Sequence, residues 1–211
     1  MATKVKRMPT PAPKSEPRSV IDDIYDVVEL IMVCAAVIIL LYTFAFRMTV
    51  VNQHSMEETL IEGDYTIVSD LFYTPKTGDI VVVQNTALDS HTEPLVKRVI
   101  AVGGDTVNIN YSNWKVTLTH NGESRVLDES EYIYLYLPTG YSPLTSDWYT
   151  KLEEDGSHTY EVPEGYLFVM GDNRNVSADS RLASIGFVPE SCVVGRLLLR
   201  ILPFDKFGTV R

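Results

Sequence analysis

Hydrophobic and polar positions divide the 211-residue chain into three unequal parts. The first carries prolines, lysines and small polar residues ("MPTPAPKSEPRS") with no apolar period, a composition that cannot bury a core. Residues 1–23 are therefore expected to form a flexible tail. The second part is an apolar run, Leu30 to Phe46, without a charged residue. With "VVE" before it the run reaches about 20 residues, the length of a helix that crosses a bilayer. Glu29 then falls at headgroup depth. Residues 24–47 are predicted to be a transmembrane anchor. A cleaved signal peptide is the competing reading, but the run is long for one and the small-x-small exit is poor.

The third part, residues 48–211, changes period. Short runs rich in Val, Ile, Tyr, Thr and Leu follow one another: "DYTIVSD", "DIVVVQ", "LVKRVIAV", "DTVNIN", "KVTLTH", "YLFVM" and "CVVGRLLLRIL". Turn signals such as "PKTGD", "GGD", "HNGE" and "EDGS" separate them. In the last run Arg196, Leu198 and Arg200 alternate with Leu197, Leu199 and Ile201, as on a strand with two different faces. The pattern predicts a mostly β domain with mixed sheets. Residues 111–162 hold most of the tyrosines with acidic residues and loop formers, and are expected to form an inserted subdomain.

Charge narrows the function. The formal net charge is -10, the opposite of the clustered basic footprint that nucleic-acid binding needs. Lys4, Lys6, Arg7, Lys14 and Arg18 precede the apolar run, against Arg47 close behind it. Basic flanks stay on the cytoplasmic side, so the N-terminus is expected inside and the β domain outside. Of the two cysteines, Cys34 falls within the apolar run and Cys192 near the C-terminus; both are expected to be free thiols.

Metal and phosphate motifs are missing. There is no HExxH and no CxxC pair, and His54, His91, His120 and His158 show no ligand spacing. No cofactor is expected. Three stretches carry the candidate chemistry. "QHSMEETL" places Ser55 shortly after the apolar run. "VKRVIAVGGD" sets Lys97 beside Arg98 in an otherwise apolar strand, where Leu95, Lys97, Val99 and Ala101 share one face and Val96, Arg98, Ile100 and Val102 the other. Two readings fit that strand: an edge with two solvated charges, or a partly buried lysine. Burial disfavours the charged amine, and a neutral lysine can take a proton from a serine. In "GDNRNVSADSRLASIGFVP", Asp172, Arg174, Asp179 and Arg181 are close enough in sequence to pair and hold a loop rigid.

These stretches resemble, in order and spacing, the motifs of bacterial type I signal peptidases, membrane-anchored Ser–Lys endopeptidases that remove signal peptides. "GDNRNVSADSR" is the most specific of them; "KRVIAVGGD" is similar to the family's lysine box and "HSMEETL" to its serine box. The resemblance implies a β-rich core with a smaller inserted subdomain behind one N-terminal transmembrane helix. It implies Ser55 as nucleophile, Lys97 as general base and Met56 as the substrate-contacting neighbour. Ser177 corresponds to a serine that hydrogen-bonds and orients the lysine, and Asp179 to a supporting carboxylate paired with Arg181. Asp172, Asn173 and Arg174 correspond to a structural turn. Signal peptides of secreted preproteins and the lipid bilayer are the implied partners. The alternative is a catalytically weak relative that binds exported chains in surface assembly. A third reading, a self-cleaving regulator of related fold, conflicts with the anchor and the acidic charge.

The chain departs from the family pattern at four places. Glu58 and Gly103 stand where proline is usual, and Gln53 and His54 precede the serine where small residues are usual. Gln53 is expected to offer its amide to the oxyanion in place of a hydroxyl. His54 adjoins Ser55, and neighbours in sequence rarely face one another. Carboxylates near Lys97 would favour its charged form, so Glu57 and Glu58 are expected to face away from it.

Overall fold

The computed structural model describes residues 19–57, 59–84, 94–133 and 151–210. The tail before Ser19, Glu58 and residues 134–150 of the expected insertion lie outside them. Two units are distinguished, residues 1–41 and residues 42–211.

The helix α1, Val20–Phe44, most of it in the first unit, is long and apolar enough to cross a membrane. Ser19 starts it by a reciprocal cap. The Ile21 N–H donates to Ser19 Oγ at 3.3 Å, and the Ser19 N–H donates to Asp22 Oδ2 at 3.0 Å. The helix begins before the predicted residue 24 because this cap and the acidic first turn, Asp22 and Asp23, favour a helical start. Its apolar side chains are exposed, as suits a helix whose solvent is lipid.

The second unit is built from strands. In chain order they are β1 (Arg47–Val50), β2 (Tyr65–Ser69), β3 (Ile80–Val83), β4 (Leu95–Val102), β5 (Thr106–Asn110), β6 (Lys115–His120), β7 (Glu123–Val126), β8 (Lys151–Leu152), β9 (His158–Glu161), β10 (Tyr166–Met170), β11 (Val188–Pro189) and β12 (Val193–Leu202). The larger sheet has the order β1-β2-β12-β3-β4-β10-β11, and the smaller β7-β6-β5-β9-β8. Neighbours in both are antiparallel. The smaller sheet runs from Thr106, just ahead of the expected insertion, and β5 is its central strand.

Both faces of the larger sheet are covered. Val51, Met56, Leu60, Val68, Ile80, Val82, Val96 and Leu197 form one cluster; Val81, Val83, Leu95, Val99, Leu167 and Val169 belong to another. A third cluster, with Ile100, Val107, Ile109, Leu118, Tyr160 and Phe168, joins the two sheets. Side chains of this kind contribute about 1.5–3 kcal/mol each when fully buried. The parity predicted for β4 holds at its start, where Leu95 and Val99 enter one cluster and Val96 the other, and breaks at its end, where the pairing with β10 shifts register and Ile100 and Ala101 enter the same cluster. The edge-strand reading of Lys97 and Arg98 does not hold. β4 pairs with β3 on one side and β10 on the other, so both charged residues are enclosed.

Candidate active site

Ser55 sits in a short 3-10 turn, His54–Met56, after β1. Met56 holds this turn down: its side chain is fully buried in the cluster beneath the sheet. From above, the loop that follows β10 clamps the turn. The Asn173 N–H donates to the Ser55 carbonyl at 3.0 Å, and Asn173 Nδ2 donates to the His54 carbonyl at 3.1 Å.

Lys97 enters from β4 and is 1% exposed. Its Nζ lies 2.6 Å from Ser55 Oγ, within hydrogen-bond distance. Burial lowers the Lys97 amine from 10.5 to about 8; Asp179 opposes that shift, Arg181 adds to it and Asp172 opposes it. A substantial fraction of the amine is therefore neutral near pH 8.

Asp179 is fully buried, which alone would push its carboxyl up. Arg181 foremost, with the Gly171 N–H and the Ser177 hydroxyl, offsets this, and the carboxyl is held below the ordinary carboxylate range. The contacts are Arg181 Nε to Asp179 Oδ1 at 2.8 Å, Nη2 to Oδ2 at 2.9 Å, and the Gly171 N–H to Oδ2 at 3.0 Å. The Asp172 carboxylate and the Arg174 guanidinium form no ion pair with each other or with this couple, contrary to one reading of the loop, although Arg181 Nη2 donates to the Arg174 carbonyl at 3.0 Å. Each finds a partner from elsewhere in the chain. Arg98 donates to Asp172 through Nε at 2.8 Å and Nη2 at 2.7 Å, and the Thr59 hydroxyl donates to the same carboxylate at 2.5 Å. Arg174 Nη1 donates to Glu129 Oε2 at 2.9 Å, and its Nη2 donates to Oε1. Sequence spacing could not show these partners, because Glu129 and Thr59 lie 45 and 113 positions from the residues they meet.

Ser177 is buried, and its hydroxyl, with no partner at ordinary hydrogen-bond geometry, lies close enough to Asp179 to help hold that carboxyl down. It lies against Gly171: a Cβ placed there would stand 2.3 Å from Ser177 Oγ and 2.3 Å from the Ser55 carbonyl oxygen. Glycine is the residue that lets loop and turn approach so closely.

The remaining predicted residues line a groove beside the serine. Met48, Thr49, Val50, Val51, Gln53, Ser55, Met56, Pro94 and Val96 enclose about 350 Å³. β1 and β4 are separated by three strands in sheet order, so the sheet curls to bring them to one groove. Gln53 is half-buried at its rim, and Met56 lies in its floor. His54 turns away from the serine: its Nδ1 is 2.6 Å from Glu57 Oε1, which raises the imidazole's pKa. Glu57 is thereby engaged with His54 and, through Asn173 Nδ2 at 3.4 Å, with the loop. A larger cleft, about 480 Å³ and lined by Lys76, Asp105, His120 and Arg125, contains neither Ser55 nor Lys97. Among the described residues no group of three or more His, Cys, Asp or Glu is placed to hold a metal.

A serine hydroxyl and a desolvated amine thus lie at hydrogen-bond distance beside a groove. A family model described as "Signal peptidase, peptidase S26" matches residues 24–202, and the chain belongs to that family. It is 34% identical over 215 residues to Signal peptidase I of Aquifex aeolicus, covering 81% of this chain and 80% of that one. It is 32% identical over 184 residues to Signal peptidase IB of Staphylococcus aureus, covering 84% and 90%. A crystal structure of a signal peptidase I from Enterococcus faecalis is 29% identical, covers 59% of this chain and 97% of that one, and superposes with a TM-score of 0.41.

Proposed function

We propose that this chain is a membrane-anchored serine endopeptidase that removes signal peptides from exported proteins, with Ser55 as nucleophile and Lys97 as general base. The observation that carries the site assignment is the 2.6 Å contact between Lys97 Nζ and Ser55 Oγ in a buried setting. With the amine neutral, the serine hydroxyl donates to Nζ across that contact. Ser55 Oγ attacks the scissile carbonyl as its proton passes to Nζ, and the ammonium then gives that proton to the leaving amine. Water attacks the resulting ester, Lys97 again taking and returning a proton. The Ser55 N–H and the Gln53 amide are the proposed oxyanion donors; one such donor is worth about 10²–10³ in rate in other hydrolases.

The signal peptide is proposed to lie extended in the groove beside β1, the outer strand at one end of the larger sheet among the described residues, where a strand can add. Met56, in the groove floor, bounds the space left for a substrate side chain. Asp179 and Arg181 hold the loop and set the field at Lys97. Ser177, buried against Gly171 beside the Ser55 carbonyl, is proposed as an additional partner for the lysine ammonium. α1 crosses the membrane once, the basic tail inside and residues from about 48 onward outside.

The test uses the detergent-solubilised full chain, a preprotein, and the variants Ser55→Ala and Lys97→Ala. Cleavage by the parent and none by either variant is expected. An intact preprotein with the parent, or parent-like cutting by Lys97→Ala, would refute the dyad.

A further inference from the structure

Two guanidinium groups stand between the loop 171–181 and the rest of the domain, and one short turn touches both. Residues 127–133 leave the smaller sheet, where the Leu127 N–H donates to the Val116 carbonyl at 2.9 Å. They close into a turn as the Ile133 N–H donates to the Glu129 carbonyl at 3.0 Å. Glu129 is 7% exposed and accepts two hydrogen bonds from Arg174, which is itself 1% exposed. Tyr132 completes the turn. Its hydroxyl donates to Glu129 Oε1 at 3.2 Å, and its ring lies 3.9 Å below the Arg98 guanidinium carbon.

From each arginine a chain of contacts leads to Ser55. Arg174 Nε donates to the Gly171 carbonyl at 3.0 Å, and Gly171 abuts both the Ser55 carbonyl and Ser177. Arg98 holds Asp172, which accepts from Thr59 just after the serine turn. Arg98 also follows Lys97 directly in β4, so fixing its side chain fixes the strand that delivers the base. An unpaired buried guanidinium would seek another acceptor, and the backbone carbonyls it already touches are those that set the loop.

We propose that Glu129, supported by Tyr132, is a positioning residue: the inserted segment holds Arg174, and through it the Gly171 backbone, in the register that places Ser55 against Lys97. This inference rests on the Ser55–Lys97 reading above. It makes the smaller sheet a working part of the site, since the turn that carries Glu129 is pinned to β6. Nothing in the sequence marks Glu129, one acidic residue among several in a loop-rich stretch.

The experiment measures kcat and KM for preprotein cleavage by the full chain in detergent, for the parent, Glu129→Gln, Glu129→Asp and Tyr132→Phe. Each is assayed well below its own melting temperature, so that folded protein is compared with folded protein. Glu129→Gln is expected to lose at least about tenfold in kcat with KM nearly unchanged, because sub-ångström displacement of reacting groups acts on the chemical step. Glu129→Asp, which keeps the charge, is expected to recover part of the loss, and Tyr132→Phe to lose about two- to fivefold. A lower melting temperature with parent-like kcat in Glu129→Gln means a structural role only and overturns the inference. If Glu129→Gln does not fold, parent-like kcat in both Glu129→Asp and Tyr132→Phe overturns it instead. An inactive parent refutes the dyad reading, a different failure.

Discussion

Lys97 is the residue at which stability and function oppose each other most directly. Its folded-state pKa of about 8 lies below the ordinary 10.5, so between those values the folded chain binds fewer protons than the unfolded one. The penalty for burying the charge is full below about pH 8 and fades as pH rises toward 10.5. Replacing Lys97 with Met is therefore expected to abolish cleavage and yet raise unfolding free energy at pH 7 by about 1–3 kcal/mol. Denaturant unfolding at pH 7 and again near pH 10 checks this, and the gain should shrink at the higher pH. Gly171 makes the complementary case. A methyl group there would collide with the Ser55 carbonyl and the Ser177 hydroxyl. Gly171→Ala is expected to lower kcat by at least about tenfold, measured against a melting curve that shows the protein folded.

At the scale of elements, β4 decides the character of the site, because an interior strand turns two charged neighbours into buried groups. The turn that ends it is equally constrained. A Cβ on Gly103 would stand 2.9 Å from Glu164 Cα and 3.0 Å from the Pro163 carbonyl oxygen, so the proline usual in the resembled pattern has no room. Gly103→Ala is expected to destabilise the domain by about 1–3 kcal/mol, the ordinary cost of overpacking, read as a lower denaturation midpoint with an unchanged slope. These elements also show what the sequence could disclose. The runs "DIVVVQ", "LVKRVIAV" and "YLFVM" announced strands by composition, and β4's alternation was correct from Leu95 to Val99 but lost beyond, where a register shift against β10 puts Ile100 and Ala101 in one cluster. Its place in the sheet order was not readable, because strand composition does not tell an edge from an interior when charges interrupt the run. The partners of Asp172 and Arg174 were hidden for a related reason. A motif lists neighbours along the chain, whereas a buried arginine is satisfied by whichever carboxylate the fold delivers.

For the whole molecule, the apolar helix fits a membrane-anchored member of the signal peptidase family, and the orientation proposed above follows from its basic flank. With protease added to sealed spheroplasts, residues from about 48 onward are expected to be digested and the N-terminal tail spared; a protected catalytic domain would reverse the proposed orientation. If a neutral Lys97 activates Ser55, the pH dependence of kcat/KM for preprotein cleavage must show it, because that quantity reports the free enzyme's essential base. A rise with pH through an apparent pKa of about 8 is expected, with no cleavage by Lys97→Ala at any pH. A flat profile between about pH 6 and 9, or a rising limb that survives in Lys97→Ala, would contradict it.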